Sequence, residues 1–287
     1  MTEQLKCNFM RRCVIFTLIL SVLFLGQSCI KESRDGCPCY LYFAHSGFDP
    51  NGYDKALRLC VFENDNEVFR KEYMMEQLIT DNAEVGIPKG MANICGMGGV
   101  SQMMLKDKYS LLVPFGKDAD PLYAFSDKVL AEGERAKVFG RIHKHYCHVT
   151  VDLKSDESMR GTYAVRVTGN SKGMDIRDFS PIEGEFSYVP SNADNGRFQF
   201  NLPRQADKAL ALEIYGSESP VPVDGNIPSS YEYYNTFDIG KYLVDEMGYD
   251  WQAESLNDVN ITIDYARCEI ILRVNDWTLV KLFAVYL

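Results

Sequence analysis

The sequence predicts an all-β chain built as two tandem antiparallel β-sandwiches, with one short helix in the second. Apolar alternation of period two recurs along the 287 residues, as half-buried strands require. The connectors between these runs carry Gly, Asn, Asp and Pro, as in SGFDPNGYD, SNADNGR and ESPVPVDGNIP, which suits turns between antiparallel strands. No helical stretch of about 10 to 15 residues follows each strand, as a parallel α/β sheet would demand. Composition agrees, because 17 Tyr and 16 Phe favour pleated surfaces, and 46% hydrophobic with 24% charged residues excludes disorder as the main state.

Strand-like runs in the first half cover residues 40–44, 56–62, 67–73, 94–100, 109–113 and 137–142. Another covers 145–153, where Cys147, Val149, Val151 and Leu153 share one face and His148, Thr150 and Asp152 the other. The polar stretch KSDESMRG follows, so the two sandwiches are expected at 39–153 and 154–287. The second half repeats the style at 162–167, 184–188, 197–202, 209–215, 259–265, 268–274 and 277–286. One helix interrupts it: Asp238 is placed to cap a segment whose Ile239, Tyr242, Leu243 and Met247 recur at helical spacing, and Gly248 supplies the stop.

The first 28 residues read as a secretory signal. Lys6, Arg11 and Arg12 precede the apolar run CVIFTLILSVLFL, which is shorter than the roughly 20 residues that span a bilayer as a helix. Cys29 follows a small residue after that run, in a setting that resembles the lipobox of bacterial lipoproteins, with Gly26 where Leu is usual. Cys29 is therefore the expected lipidation site, its acyl chains (palmitate among them) each contributing about 0.8 kcal/mol per buried methylene. Residues 29–38 form the tether, and Lys31-Glu32 resembles the signal that sends Bacteroidetes lipoproteins to the outer face of the outer membrane. The expected location is thus the outer membrane, lipid-anchored and surface-exposed. A formal charge of −10, more acidic still without the leader, excludes nucleic acid as a partner.

Beyond the leader and Cys29 the cysteines are Cys37, Cys39, Cys60, Cys95, Cys147 and Cys268, whose pairing the spacing leaves open. The cluster His143-Lys144-His145-Tyr146-Cys147-His148 puts positions 143, 145 and 147 on one strand face, but that face continues into Val149 and Val151, so Cys147 reads as core. No metal, cofactor or small-molecule substrate is expected. ICGMGGVSQ lacks the third glycine of a dinucleotide loop and is not a nucleophile elbow; its glycines suit a closely packed strand. No catalytic residue is assigned, and the chain is expected not to be an enzyme.

Several segments in order resemble the fimbrium anchoring subunit family of Bacteroidales, the fimbrial anchor lipoproteins of type V pili. They are SCIKESRDGCPCYLYF, the strand ALRLCVF, the 94–100 strand, Asp118-Ala119-Asp120-Pro121-Leu122-Tyr123, the 146–153 strand and Val274-Asn275-Asp276-Trp277, with Asp276 where the family turn carries Gly. The resemblance implies transthyretin-like sandwiches and a noncatalytic role in cell adhesion: holding the pilus base in the membrane, and limiting assembly by strand exchange with fimbrillin-type subunits. The donated-strand candidate is the C-terminal segment, with Trp277, Leu279, Phe283, Val285 and Leu287 on one face; being mostly apolar on both faces, it suits a donated or central strand, the alternative being that it closes its own sandwich. The alternative is a glycan-binding surface lipoprotein, for which Tyr-rich loops and Trp251 are the candidates.

Overall fold

The computed structural model describes residues 36–43, 56–79, 85–154, 162–191, 196–218, 223 and 225–284. The signal segment, Cys29, most of the tether, Val285 and Leu287 lie outside them. Among the described residues, nineteen strands, two short α-helices and one π-turn run in the order β1 (Cys39–Phe43), β2 (Ala56–Glu63), β3 (Asn66–Met74), α1 (Met75–Ile79), β4 (Val85–Ile87), β5 (Gly90–Gly98), β6 (Met104–Leu105), β7 (Ser110–Leu112), β8 (Tyr123–Ala131), β9 (Arg135–Val138), β10 (His143–Lys144), β11 (Tyr146–Lys154), β12 (Thr162–Asp175), β13 (Pro181–Tyr188), β14 (Arg197–Pro203), β15 (Ala211–Ser217), β16 (Glu232–Phe237), α2 (Ile239–Lys241), the π-turn (Tyr242–Glu246), β17 (Val259–Asp264), β18 (Glu269–Val274) and β19 (Trp277–Leu282).

These make two β-sandwiches. In the first, a three-stranded sheet β4-β1-β9 covers a five-stranded sheet β10-β8-β5-β2-β3. Alternation decides the faces: Leu57, Leu59 and Val61 of β2 meet Cys39, Leu41 and Phe43 of β1 in one buried cluster. The ring of Phe125 from β8 fills the space left by two glycines. A Cβ on either Gly96 or Gly140 would stand 2.1 Å from it, so the glycines in ICGMGG serve close packing. In the second sandwich the sheet β14-β11-β17-β18-β19 faces β16-β15-β12-β7-β6, with β13 paired to β12. Its core is built from Val149 and Val151, Phe198 and Phe200, Ile261 and Ile263, and Leu212 and Ile214.

The sheets do not divide at residue 153/154. β11, expected to close the first sandwich, pairs antiparallel with β14 and parallel with β17, inside the second. β7 also crosses over, since Leu111 and Leu112 pair with Met174 and Gly173 of β12. The cores are continuous as a result: the reverse faces of β2 and β5, through Cys60, Phe62, Cys95 and Met97, join the cluster of the second sandwich. Arg177 adds a polar clamp, binding Asp175 at 2.6 Å and Asp65 in the β2–β3 turn at 3.0 Å while lying over the Tyr109 ring.

Among the described residues all six cysteines are free thiols. Cys60 and Cys95 stand opposite each other across β2 and β5. Burial pushes their thiols up to about 11 and about 12, which leaves them protonated and unreactive. The expected short helix is present, as one α-turn at Ile239–Lys241 running into a π-turn at Tyr242–Glu246. Asp238 makes no side-chain cap; its carboxylate accepts from Lys241 Nζ at 2.5 Å instead. Gly248, at φ +66°, ends the segment as expected.

Candidate functional site

The C-terminal strand lies at an open sheet edge. β19 pairs antiparallel with β18, with Val274 opposite Trp277 and Leu272 opposite Leu279, and no described strand pairs with its outer side. Among the described residues this strand is last in its sheet, where it closes its own sandwich. Leu279 and Phe283 pack against the second-sandwich core. Trp277, Val280 and Leu282 are 72%, 51% and 78% exposed. Such an edge offers unpaired backbone groups beside apolar side chains, the chemistry that accepts or donates a strand.

Under this edge lies an aromatic layer drawn from both sheets. The Phe283 ring meets Phe237 at 5.1 Å and Tyr265 at 5.5 Å, and Tyr265 stacks on Tyr163 at 6.2 Å. The Phe283 N–H donates to the Cys268 carbonyl at 2.9 Å, holding the chain against the sheet beyond β19. The buried Tyr265 hydroxyl has no hydrogen-bond partner among the described residues, and burial raises its pKa. Lys281 is drawn to Glu246 of the π-turn, so even the charged residue of β19 is tied to its own sandwich.

The histidine cluster does not converge on a metal. Cys147 points into the core, its thiol pushed up to about 12 by burial, while His148 Nδ1 lies 2.9 Å from Asn201 Oδ1 on the opposite face. His143 and His145 lie at the strand entrance with ring centroids 6.5 Å apart, and His145 is buried. The Arg204 Nε–H donates to His145 Nδ1 at 3.1 Å, so the imidazole carries its proton on Nε2 and faces the Ala124 carbonyl at 3.3 Å. Burial first, and the charge of Arg204 second, hold His145 well below the ordinary histidine range. Sequence reasoning missed Arg204 altogether; it sits between Pro203 and Gln205 at a strand end, with no motif around it.

Trp251 takes a different role from the one expected in the glycan-binding alternative, and Asp118–Tyr123 gains a role the sequence did not assign. Trp251 is only 5% exposed and packs on Tyr249 with ring centroids 4.6 Å apart, so it belongs to the core and is not a sugar platform. The segment Asp118–Tyr123 is structural: buried Asp120 accepts from the N–H groups of Ser101, Gln102 and Met103, each at 2.7 Å, and from the Ser101 hydroxyl at 2.6 Å. That carboxylate fixes the loop leading from β5 to β6.

No protein-family model matches the chain, and no curated protein matches its sequence. Solved structures do match its fold. A candidate polysaccharide-binding protein of the DUF1812 group from Bacteroides thetaiotaomicron aligns with a TM-score of 0.58 at 14% identity, over 85% of this chain and 97% of that one. The fimbrial anchor protein Mfa2 from Porphyromonas gingivalis aligns at 0.55 and 12% identity, over 84% of this chain and 99% of that one. A candidate adhesin from Bacteroides ovatus gives 0.57 and 13%, over 85% and 95%. The chain therefore shares an all-β sandwich fold with proteins that include a fimbrial anchor.

Proposed function

We propose that the protein is a noncatalytic outer-membrane lipoprotein, held by lipid on Cys29, that anchors the base of a fimbria and limits its assembly through strand exchange with fimbrillin-type subunits. The observation that carries this reading is the open edge at β19, where Trp277, Val280 and Leu282 are exposed beside a free backbone ladder. A neighbouring subunit can add a strand to that edge, or can take the place of β19 on β18. The second possibility uses the same groove: removing β19 would uncover the outer edge of β18, alongside Phe237 and Tyr265. Val285 and Leu287 would extend the donated face.

Lipid anchorage is supported by the leader and by Cys29, and no helix among the described residues is long and apolar enough to cross a membrane. A likeness of fold to a fimbrial anchor over 84% of this chain fits an assembly role. Deleting the gene is expected to release long fibres into the medium, and normal, cell-bound fibres in the deletion strain would overturn the reading. Replacing Cys29 with Ala is expected to move the protein out of the membrane fraction; unchanged retention would contradict lipidation.

A further inference from the structure

A cleft of about 540 Å³ opens between the two sandwiches, walled by β8, the β9–β10 connection, the β12–β13 turn, Arg204 and the loop at Gln252–Glu254. That volume falls within the range of small-ligand sites and holds one or two sugar rings. Its distinguishing feature is a buried cation. Arg204 is 3% exposed, and its partners are all neutral: His145 Nδ1 at 3.1 Å, the Trp251 carbonyl at 2.8 Å and the Glu254 carbonyl at 3.0 Å. Among the described residues it makes no ion pair. A guanidinium has five N–H donors, and a buried charge is normally met directly by a counter-ion, whereas Asp250 acts on Arg204 only through space.

The other groups narrow what that charge belongs to. Arg177 is already neutralised by Asp175 and Asp65, which leaves Lys128 and Arg141, both exposed, as further cations on the wall with no ion pair among the described residues. Asp127, Asp178 and Glu254 also line the cleft. They would repel a multiply charged phosphate, yet each keeps lone pairs able to accept from hydroxyl groups. Phe139, 58% exposed, adds an apolar wall. Phe179 holds a left-handed backbone at φ +59°, rare for a bulky residue, and lays its ring against His145 at 3.9 Å. That contact and the His145 hydrogen bond set the plane of Arg204 from behind. One carboxylate flanked by several hydroxyls and an apolar ring face is the pattern of an acidic sugar.

We propose that this cleft binds a carboxylate-bearing saccharide, a hexuronate unit. Arg204 and Arg141 hold its carboxylate, and Asp127 and Glu254 accept from its hydroxyls. The site stands apart from the β19 edge and does not depend on the pilus reading. Titration calorimetry of the full chain with digalacturonate, with the neutral galactose disaccharide, with inorganic phosphate and with a short acidic peptide tests it. The expected result is saturable binding of digalacturonate, at least about tenfold weaker binding of the neutral disaccharide, and an about tenfold loss in Arg141→Gln, whose exposed position leaves folding intact. Arg204→Gln should lose binding entirely where circular dichroism shows it folded. Equal affinity for acidic and neutral sugars, no change in Arg141→Gln, or binding of phosphate or the acidic peptide in place of digalacturonate would each overturn the proposal.

Discussion

β11 and β19 belong to the same five-stranded sheet, and both are rich in valine and leucine, yet they live in different surroundings. β11 has neighbours on both sides, and Val149, Val151 and even Thr150 are buried. β19 has one neighbour and shows solvent a face of Thr278, Val280 and Leu282. Apolar content on both faces therefore does not make a strand central. Position in the hydrogen-bond ladder does, and an apolar strand left at the edge becomes a docking surface instead of core.

The sharpest way to break this comparison is to put the same charge on each strand. Val151→Asp is expected to cost about 4 kcal/mol or more, enough to prevent cooperative folding, because the carboxylate would be buried among Phe198 and Ile261 with no partner; urea denaturation measures it. Asp120→Ala comes next, at about 3 kcal/mol, since three backbone N–H groups lose their shared acceptor. A midpoint within a few tenths of a molar of the wild type would show that the loop, and not the carboxylate, holds this region together.

At the entrance to β11, His145 has a folded pKa below its unfolded value of about 6.5, so the unfolded chain binds the proton more readily. Its contribution is fully present above pH 6.5 and is lost as pH falls from there toward the depressed folded value. Relative to a His145→Asn variant, the wild type should lose on the order of 1 kcal/mol of stability between pH 7.5 and 5.5, read by paired denaturant titrations. Parallel pH profiles for the two proteins would contradict this. The smallest effect is expected on β19: Val280→Asp should change stability by less than about 0.5 kcal/mol. The same substitution is expected to weaken co-purification with fimbrillin-type subunits, which separates a docking surface from a structural one.

Most strands could be read from alternation, because period two marks burial on one face whatever the partner. β8 escaped this reading although it is a central strand of nine residues. Its middle, Ser126-Asp127-Lys128, is polar, and the structure shows why it is tolerated: the Ser126 hydroxyl has two acceptors in reach of its single O–H, Asn93 Oδ1 and the Arg177 carbonyl, and Asp127 accepts from the Phe139 N–H at 2.8 Å. β16 escaped for the opposite reason, as an exposed edge whose EYYNTF has little to bury. In the cleft, His145 and Arg204 are 59 residues apart, and nothing around either predicts that they touch.

Strand identity, turn chemistry, the leader and the acidic surface follow from residue order, since each depends on side chains a few positions apart. Which strand neighbours which, that β7 and β11 serve the second sandwich, that β19 ends a sheet and that a guanidinium lies buried with no ion pair among the described residues were decided only by the tertiary structure. The physical reason is the same throughout. Backbone hydrogen bonds in a sheet are made between segments distant in the chain and are indifferent to side-chain identity, so a local pattern sets which face of a strand is buried but not which strands lie on either side of it.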